Sequence, residues 1–258
     1  MKLVILGSGT STGVPMVGCR CKVCSSSDPH DKRTRTSLMV ESGGKNIIVD
    51  TSTDLRQQAL REGIARIDAV FFTHSHSDHV NGIDDLRGFN FIHRNIVPCY
   101  GDDATMSEII DRFPYIFKGR EIEGYAPLLE AHTIDGPLSL FGCSITPVPL
   151  RHGHLTSTGY RFNSAAYLTD CNEIPDASIR LLAGLELLII DALRYSPHEN
   201  HFSIDEALEV ISRLRPKQAV LTHLTHEVSH RIASSRLPAG VELAWDGMTY
   251  EIPTPSLQ

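Results

Sequence analysis

The chain has 258 residues, of which 41% are hydrophobic and 21% charged, and it carries a net charge of −7 at pH 7. That apolar share supports a sizeable core and excludes a disordered chain. Acidic residues outnumber basic ones, 31 to 24, so the global basic footprint of a nucleic-acid binder is missing.

Residues 2–6 (KLVIL) read as a strand that runs into the turn-rich GSGTSTG. One Lys and a short apolar stretch make this a first strand rather than a signal peptide, so the cytoplasm is the expected compartment. No apolar run approaches the ~18 residues of a membrane helix, and no membrane association is expected. Residues 28–35 are polar and loop-like. Residues 37–40 and 46–50 flank SGGK and predict a hairpin. Thr53 is the candidate cap of a helix over 54–62, with Gly63 as its stop. Residues 68–73 (DAVFFT) predict a short buried strand that enters a His cluster. Between 82 and 135 the pattern is less regular. A helix over 103–112 is ended by Pro114, and the remainder reads as an insertion over one face.

Further strands are predicted at 144–149 and 158–169, and helices at 174–183 and 203–214. The last of these opens with Ser203 and Glu206, the capping-box pattern. Between the two helices LELLIIDAL predicts a buried strand ending in Asp191, and KQAVLTH repeats the strand-to-His arrangement. Residues 241–244 and 248–252 predict a closing hairpin around Asp246-Gly247. Strands in groups, broken by helices, predict a layered α/β architecture, taken here as a single domain over 1–258. Metal-type residues fall just after strand ends, where open sheets expose side chains to ligands.

The strongest chemical signal is His74-Ser75-His76-Ser77-Asp78-His79. Neutral imidazoles suit zinc, iron or manganese, and the carboxylate adds charge neutralisation. A tight loop can aim His74 and His76 at one ion and Asp78 and His79 at a neighbour. A second signal is Cys19, Cys21 and Cys24 in a Cys-rich loop over about 15–30. In a reducing compartment such a cluster points to metal before disulfide, and three thiolates need a fourth donor to close a structural zinc site. Cys99, Cys143 and Cys171 fall outside the pattern and read as ordinary thiols.

HxHxDH after a buried strand resembles the metallo-β-lactamase superfamily, whose fold is a four-layer αββα sandwich. The resemblance implies that His74, His76 and His152 hold one divalent ion, that Asp78, His79 and His223 hold a second, and that Asp170 bridges them. His154 competes with His152. Asp50 matches the acid that orients the metal loop. The stretch LGSGTSTGVPMVGCRCKVC, with THLTH downstream, is similar to the PhnP-like branch, phosphodiesterases acting on phosphoribosyl cyclic phosphate. That branch implies a structural zinc on Cys19, Cys21, Cys24 and His226, and a His at the position of His201 near the leaving group. The implied activity is hydrolysis of a small, cyclic phosphodiester by water ionised between two ions of manganese, zinc or iron. Asp78 and His201 are the expected catalytic residues. The expected partner is a small-molecule phosphodiester rather than nucleic acid, and a homodimer is expected by analogy with relatives.

Three other readings compete. A transfer-RNA 3′-processing endonuclease would use the same metals, but the chain has no long Gly/Lys/Arg arm to grip RNA. A lactonase would use the same ionised water. A non-enzymatic zinc-binding module would need the cysteines alone.

Overall fold

The structure is a computed structural model that describes residues 1–118 and 126–253; residues 119–125, within the 82–135 segment, and 254–258 lie outside the described residues. The first half runs β1 (Lys2–Gly7), β2 (Ser37–Ser42), β3 (Lys45–Val49), α1 (Leu55–Arg61), β4 (Ala69–Phe71), α2 (Ser77–Val80), α3 (Leu86–His93), β5 (Val97–Gly101), α4 (Asp103–Arg112), α5 (Pro114–Phe117) and β6 (Leu129–Thr133). The second runs β7 (Leu138–Leu140), β8 (Cys143–His152), β9 (Leu155–Phe162), β10 (Ala165–Leu168), α6 (Asp176–Leu181), β11 (Leu187–Asp191), α7 (Ile204–Leu214), β12 (Gln218–Thr222), α8 (His230–Ser234), β13 (Val241–Leu243) and β14 (Thr249–Glu251).

The strands form two mixed sheets, ordered β14-β1-β2-β3-β4-β5-β6 and β13-β12-β11-β10-β9-β8-β7. Strand alternation separates the layers. In β2, Leu38 and Val40 face the core between the sheets, whereas Met39 faces the helices outside. In β11, Leu187 and Ile189 point to the same inner core, and Leu188 and Ile190 to the opposite helices. Leu55, Leu86 and Ile109 cover one outer face, and Leu182, Ala207 and Ala233 the other. The result is the αββα sandwich of the metallo-β-lactamase fold. Among the described residues no helix is long and apolar enough to cross a membrane.

Several local expectations are corrected. The described residues of 82–135 are not an insertion over one face: β5 and β6 extend the first sheet through parallel pairs, β4 with β5 and β5 with β6. Residues 241–252 form no hairpin. β13 pairs with β12 and β14 with β1, so the chain crosses between sheets at Asp246-Gly247. The Asp246 carboxylate drives this crossing, accepting hydrogen bonds from Ser8, Thr34 and Arg61. The predicted strand over 158–169 is two strands, β9 and β10, paired antiparallel. Thr53 does not cap α1; Asp54 stands at the N-cap, and its carboxylate pairs with Arg35 instead. Pro114 opens α5 rather than merely ending α4. The polar 28–35 segment contains a 3₁₀ turn over Pro29–Asp31 and a fully buried Arg33. The capping box at Ser203 and Glu206 is present as predicted.

Candidate metal centre and active site

The candidate ligands meet at one edge of the sandwich, where strands of both sheets end. Asp50 follows β3, His74 follows β4, Asp170 follows β10 and His223 follows β12, while His152 is the last residue of β8. Asp50, Asp170 and His223 all adopt positive φ, at 64°, 55° and 62°. This left-handed turn costs a β-carbon-bearing residue about 1–2 kcal/mol. Each such turn redirects the chain after its strand and aims a side chain into the space between the sheets. Strain of this kind clusters where chemistry is done.

Two groups of donor atoms form there. Within 4.8 Å of one another lie the donors of His74, His76 and His152, and likewise those of Asp78, His79 and His223. Asp170 lies between the groups. Its carboxylate is 3.2 Å from His79 Nε2, 3.3 Å from His223 Nε2 and 3.9 Å from His74 Nε2. The Nε2 atoms of His74, His79 and His223 are buried without a hydrogen-bond partner. Orphaned buried nitrogens are costly, and a cation would satisfy them. The donor set therefore fits two divalent ions.

Neighbouring groups turn the imidazoles inward. His79 Nδ1 donates to Asp50 Oδ2 at 2.7 Å. Thr73 donates its N–H and hydroxyl to the same carboxylate, and its hydroxyl oxygen accepts from His74 Nδ1 at 2.9 Å. His152 Nδ1 donates to the Asn200 carbonyl at 2.9 Å. Such contacts fix the tautomer and raise ligand basicity.

The protonation pattern follows. Burial, then the charge of His79, pushes His74 well below its ordinary value. Burial lowers His76 and His223 as well. Burial works against ionisation of Asp170, yet His223 and His79 hold it well below the carboxylate range. His79 is the exception. Burial disfavours its charge, but Asp170, Asp50 and Asp78 together hold the ring well above its ordinary value. Loading of a cation would expel that proton, since a ligating imidazole is neutral.

His201 stands at the edge of the cluster, its ring 4.7 Å from His223 and 4.9 Å from His152. Asp191 was legible only as an acid ending a buried strand. It accepts from His201 Nδ1 at 2.7 Å and from the Cys171 N–H at 2.9 Å. Burial raises its carboxyl to about 8 against the pull of His223. The nitrogen left over on His201 is Nε2. His154, the competitor of His152, is exposed, whereas His152 is buried.

A separate group lies at the N-terminal loop. The thiols of Cys19, Cys21 and Cys24 and a ring nitrogen of His226 fall within 4.8 Å of one another. Cys19 Sγ and Cys21 Sγ are 3.3 and 3.4 Å from His226 Nδ1. The Cys24 backbone N–H and then His226 pull the Cys21 thiol down to about 6, while burial pushes Cys24 up to about 11. Three thiols and one imidazole at this spacing fit a closed tetrahedral zinc site. Cys99, Cys143 and Cys171 are buried and free.

Comparison with known proteins bears on this geometry. The model of a beta-lactamase superfamily domain matches residues 45–224. A structure described as a new diphosphatase from the PhnP family superposes with a TM-score of 0.91, at 44% identity, covering 98% of each chain. An octanoyltransferase of Porphyromonas gingivalis is 41% identical over 253 residues, covering 96% of this chain; the chain spans only 51% of that relative's length. A ribonuclease Z of Bradyrhizobium diazoefficiens is 30% identical over 191 residues, 68% of this chain and 62% of that protein.

Proposed function

Because the chain belongs to the metallo-β-lactamase superfamily, in its PhnP-like branch, we propose that this hydrolase is a two-metal phosphodiesterase acting on a small, cyclic phosphodiester. One observation carries the reading: two groups of mostly buried His and Asp donors flank Asp170, with His201 held by Asp191 at their edge. His74, His76 and His152 would hold one divalent ion, and Asp78, His79 and His223 the other. When bound, such a pair supplies an ionised water at neutral pH and neutralises charge that builds on phosphorus.

The chain's own residues do the rest. Asp170 sets the separation of the two groups. Asp50 and Thr73 hold His79 and His74 in their ligating tautomers. Asp191 fixes the His201 ring through Nδ1, leaving Nε2 to hand a proton to the departing oxygen as general acid. Cys19, Cys21, Cys24 and His226 would carry a zinc that ties the N-terminal loop to the segment after His223.

A second reading, cleavage of a diphosphate linkage, is favoured by the name of the PhnP-family structure at 44% identity. The octanoyltransferase name belongs to a protein about half of which this chain matches, and it lends no chemistry to the His/Asp cluster. The test is hydrolysis of bis(p-nitrophenyl) phosphate, a 2′,3′-cyclic nucleotide, a diphosphate diester, a lactone and a precursor transfer RNA, with metal counted on the same sample. The expected result is turnover of the phosphodiesters and about three ions per chain. Bound metal with no phosphodiester hydrolysis sinks the reading, and preferred turnover of the diphosphate selects the second one.

A further inference from the structure

His74 lies between two residues that are gripped from outside the donor cluster. Before it stands Thr73, whose carbonyl accepts from the Thr158 N–H of β9 at 2.8 Å. After it stands Ser75, which belongs to neither group of donors. Ser75 Oγ donates to the Glu108 carboxylate, and the Ser75 carbonyl accepts from Arg112 Nη1. Glu108 and Arg112 are four residues apart on α4, so one face of this helix meets both polar groups of Ser75. Glu108 also lines, with His74, Ser75 and His76, a cleft of about 250 Å³ beside the cluster.

The helix is itself fixed. Its N-cap Asp102 accepts from the Thr105 N–H through Oδ1 at 2.8 Å and from Thr158 Oγ1 through Oδ2 at 2.9 Å. Thr158 therefore joins the two grips, its hydroxyl holding the start of α4 and its N–H the carbonyl just before His74. Met106 and Ile109 seat α4 in the outer core. Side chains on an element anchored in this way can hold a neighbour to a narrow geometry. The Ser75 carbonyl belongs to the peptide that leads into His76. Fixing it, together with the Ser75 hydroxyl, restricts the rotations that aim His74 and His76, whose rings stand 4.5 Å apart.

We propose that Glu108 and Arg112 are positioning residues for the ion that His74, His76 and His152 would hold. They clamp Ser75 and so set the aim of the imidazoles on either side of it, as Asp50 does for His79. The first ion position thereby depends on α4, and the second does not. This rests on the two-ion reading of the cluster and is independent of which ester is cleaved.

The test withdraws zinc from the loaded protein with a graded chromogenic chelator and records the urea midpoint of the fully depleted samples. Glu108→Ala and Arg112→Ala should each weaken one of the two His/Asp ions by about tenfold, the low end for contacts that support metal ligands. The cysteine-bound zinc should be unaffected. Both positions are exposed, so the metal-free urea midpoint should stay where it is. Glu108→Gln keeps an oxygen acceptor for Ser75 Oγ and should recover most of the affinity. Ser75→Ala should reproduce the Glu108→Ala loss, and the two together should lose no more than either alone, since both remove one hydrogen bond. In the Asp78→Ala background, where the second ion is already lost or weakened, Glu108→Ala should still weaken the ion that remains. No further effect in that background overturns the assignment to the first ion. Unchanged zinc affinity in both alanine variants overturns the proposal and leaves the two-ion reading intact. A loss of affinity matched by a lower metal-free midpoint also overturns it, reducing α4 to scaffold. A parent protein that binds only one zinc per chain removes the two-ion reading, and the positioning role with it.

Discussion

The two donor clusters of this chain are built in opposite ways. The His/Asp cluster draws on residues from His74 to His223, delivered by the ends of strands in both sheets. Its ligands are mostly buried, it is divided around Asp170, and it adjoins an open cleft. The Cys/His cluster takes three donors from one short loop and a fourth from His226, and most of its donors are only half-buried. With metal bound, the first arrangement would leave coordination positions for water and substrate, whereas the second would be filled by its four protein donors. A scaffold of two sheets is needed to build the first, whereas the second can staple a loop that has little core of its own. Apolar packing there is limited to Val14, Val23 and Cys24 with a few half-buried neighbours.

The sharpest way to break this contrast is to strike the divided cluster. Asp78→Ala removes a donor whose carboxylate is only partly buried, so the fold should survive. Turnover should be abolished, and elemental analysis should show one catalytic ion lost or weakened while the cysteine-bound zinc stays. Full activity in this variant would mean that the 74–79 loop does not carry the chemistry. His201→Ala comes next. General acid catalysis is worth about 10²–10⁴-fold, and the loss should be large for an alkoxide leaving group and small for p-nitrophenolate, which needs no proton. An equal loss with both leaving groups would reassign His201 to substrate binding.

How far these clusters were legible depended on whether their parts were local in sequence. Three of the four Cys/His donors and the whole 74–79 loop lie within a few residues of one another, and the strand before each distant ligand is an apolar run. The apolar runs mark where strands end, and the resemblance to the metallo-β-lactamase superfamily singles out Asp50, Asp170 and His223 among the residues that follow them. Asp191 and Asn200 are not singled out. They act only through contacts made after folding, one on His201 and one through a backbone carbonyl on His152. The 82–135 segment misled because β5 (VPCYG) and β6 (LEAHT) carry Pro, Gly and polar residues, and β6 is a half-buried edge strand. The closing hairpin misled because Asp-Gly is a strong local turn signal. Here the same dipeptide marks a crossing between sheets, held by Ser8, Thr34 and Arg61 from far along the chain.

The Cys/His cluster answers to a milder substitution. Cys21→Ser should release one zinc and leave the catalytic ions in place. The loop keeps a second tie that needs no metal. The buried Arg33 donates to the Thr225 and Val228 carbonyls at 3.0 and 2.8 Å, and Asp31 accepts from the His230 N–H at 2.8 Å. Destabilisation should therefore be partial. A loss of about 2 kcal/mol would lower the melting temperature by about 4–8 °C in a chain of this size. An unchanged melting curve and zinc content would leave the cysteines without a structural role.

That metal-free tie supplies the smallest effect, and it depends on pH. His230 packs its ring 4.6 Å from His30 and 5.8 Å from Trp245, facing Arg33, Asp28 and Asp31. Burial, then the charges of His30 and Arg33, lowers its imidazole from 6.5 to about 4. Between those values the unfolded chain binds a proton that the folded site refuses. Stability therefore rises with pH across this window and is lost as pH falls through it. His230 is only half-buried, so solvent screening limits the contribution to about 1 kcal/mol. Urea midpoints measured at about pH 7 and about pH 5 should differ less in His230→Gln than in the parent. Chelator-treated protein should show the same difference, since the brace around Arg33 needs no cation. An identical pH slope in both proteins would place the acid sensitivity of this edge on the thiolates instead.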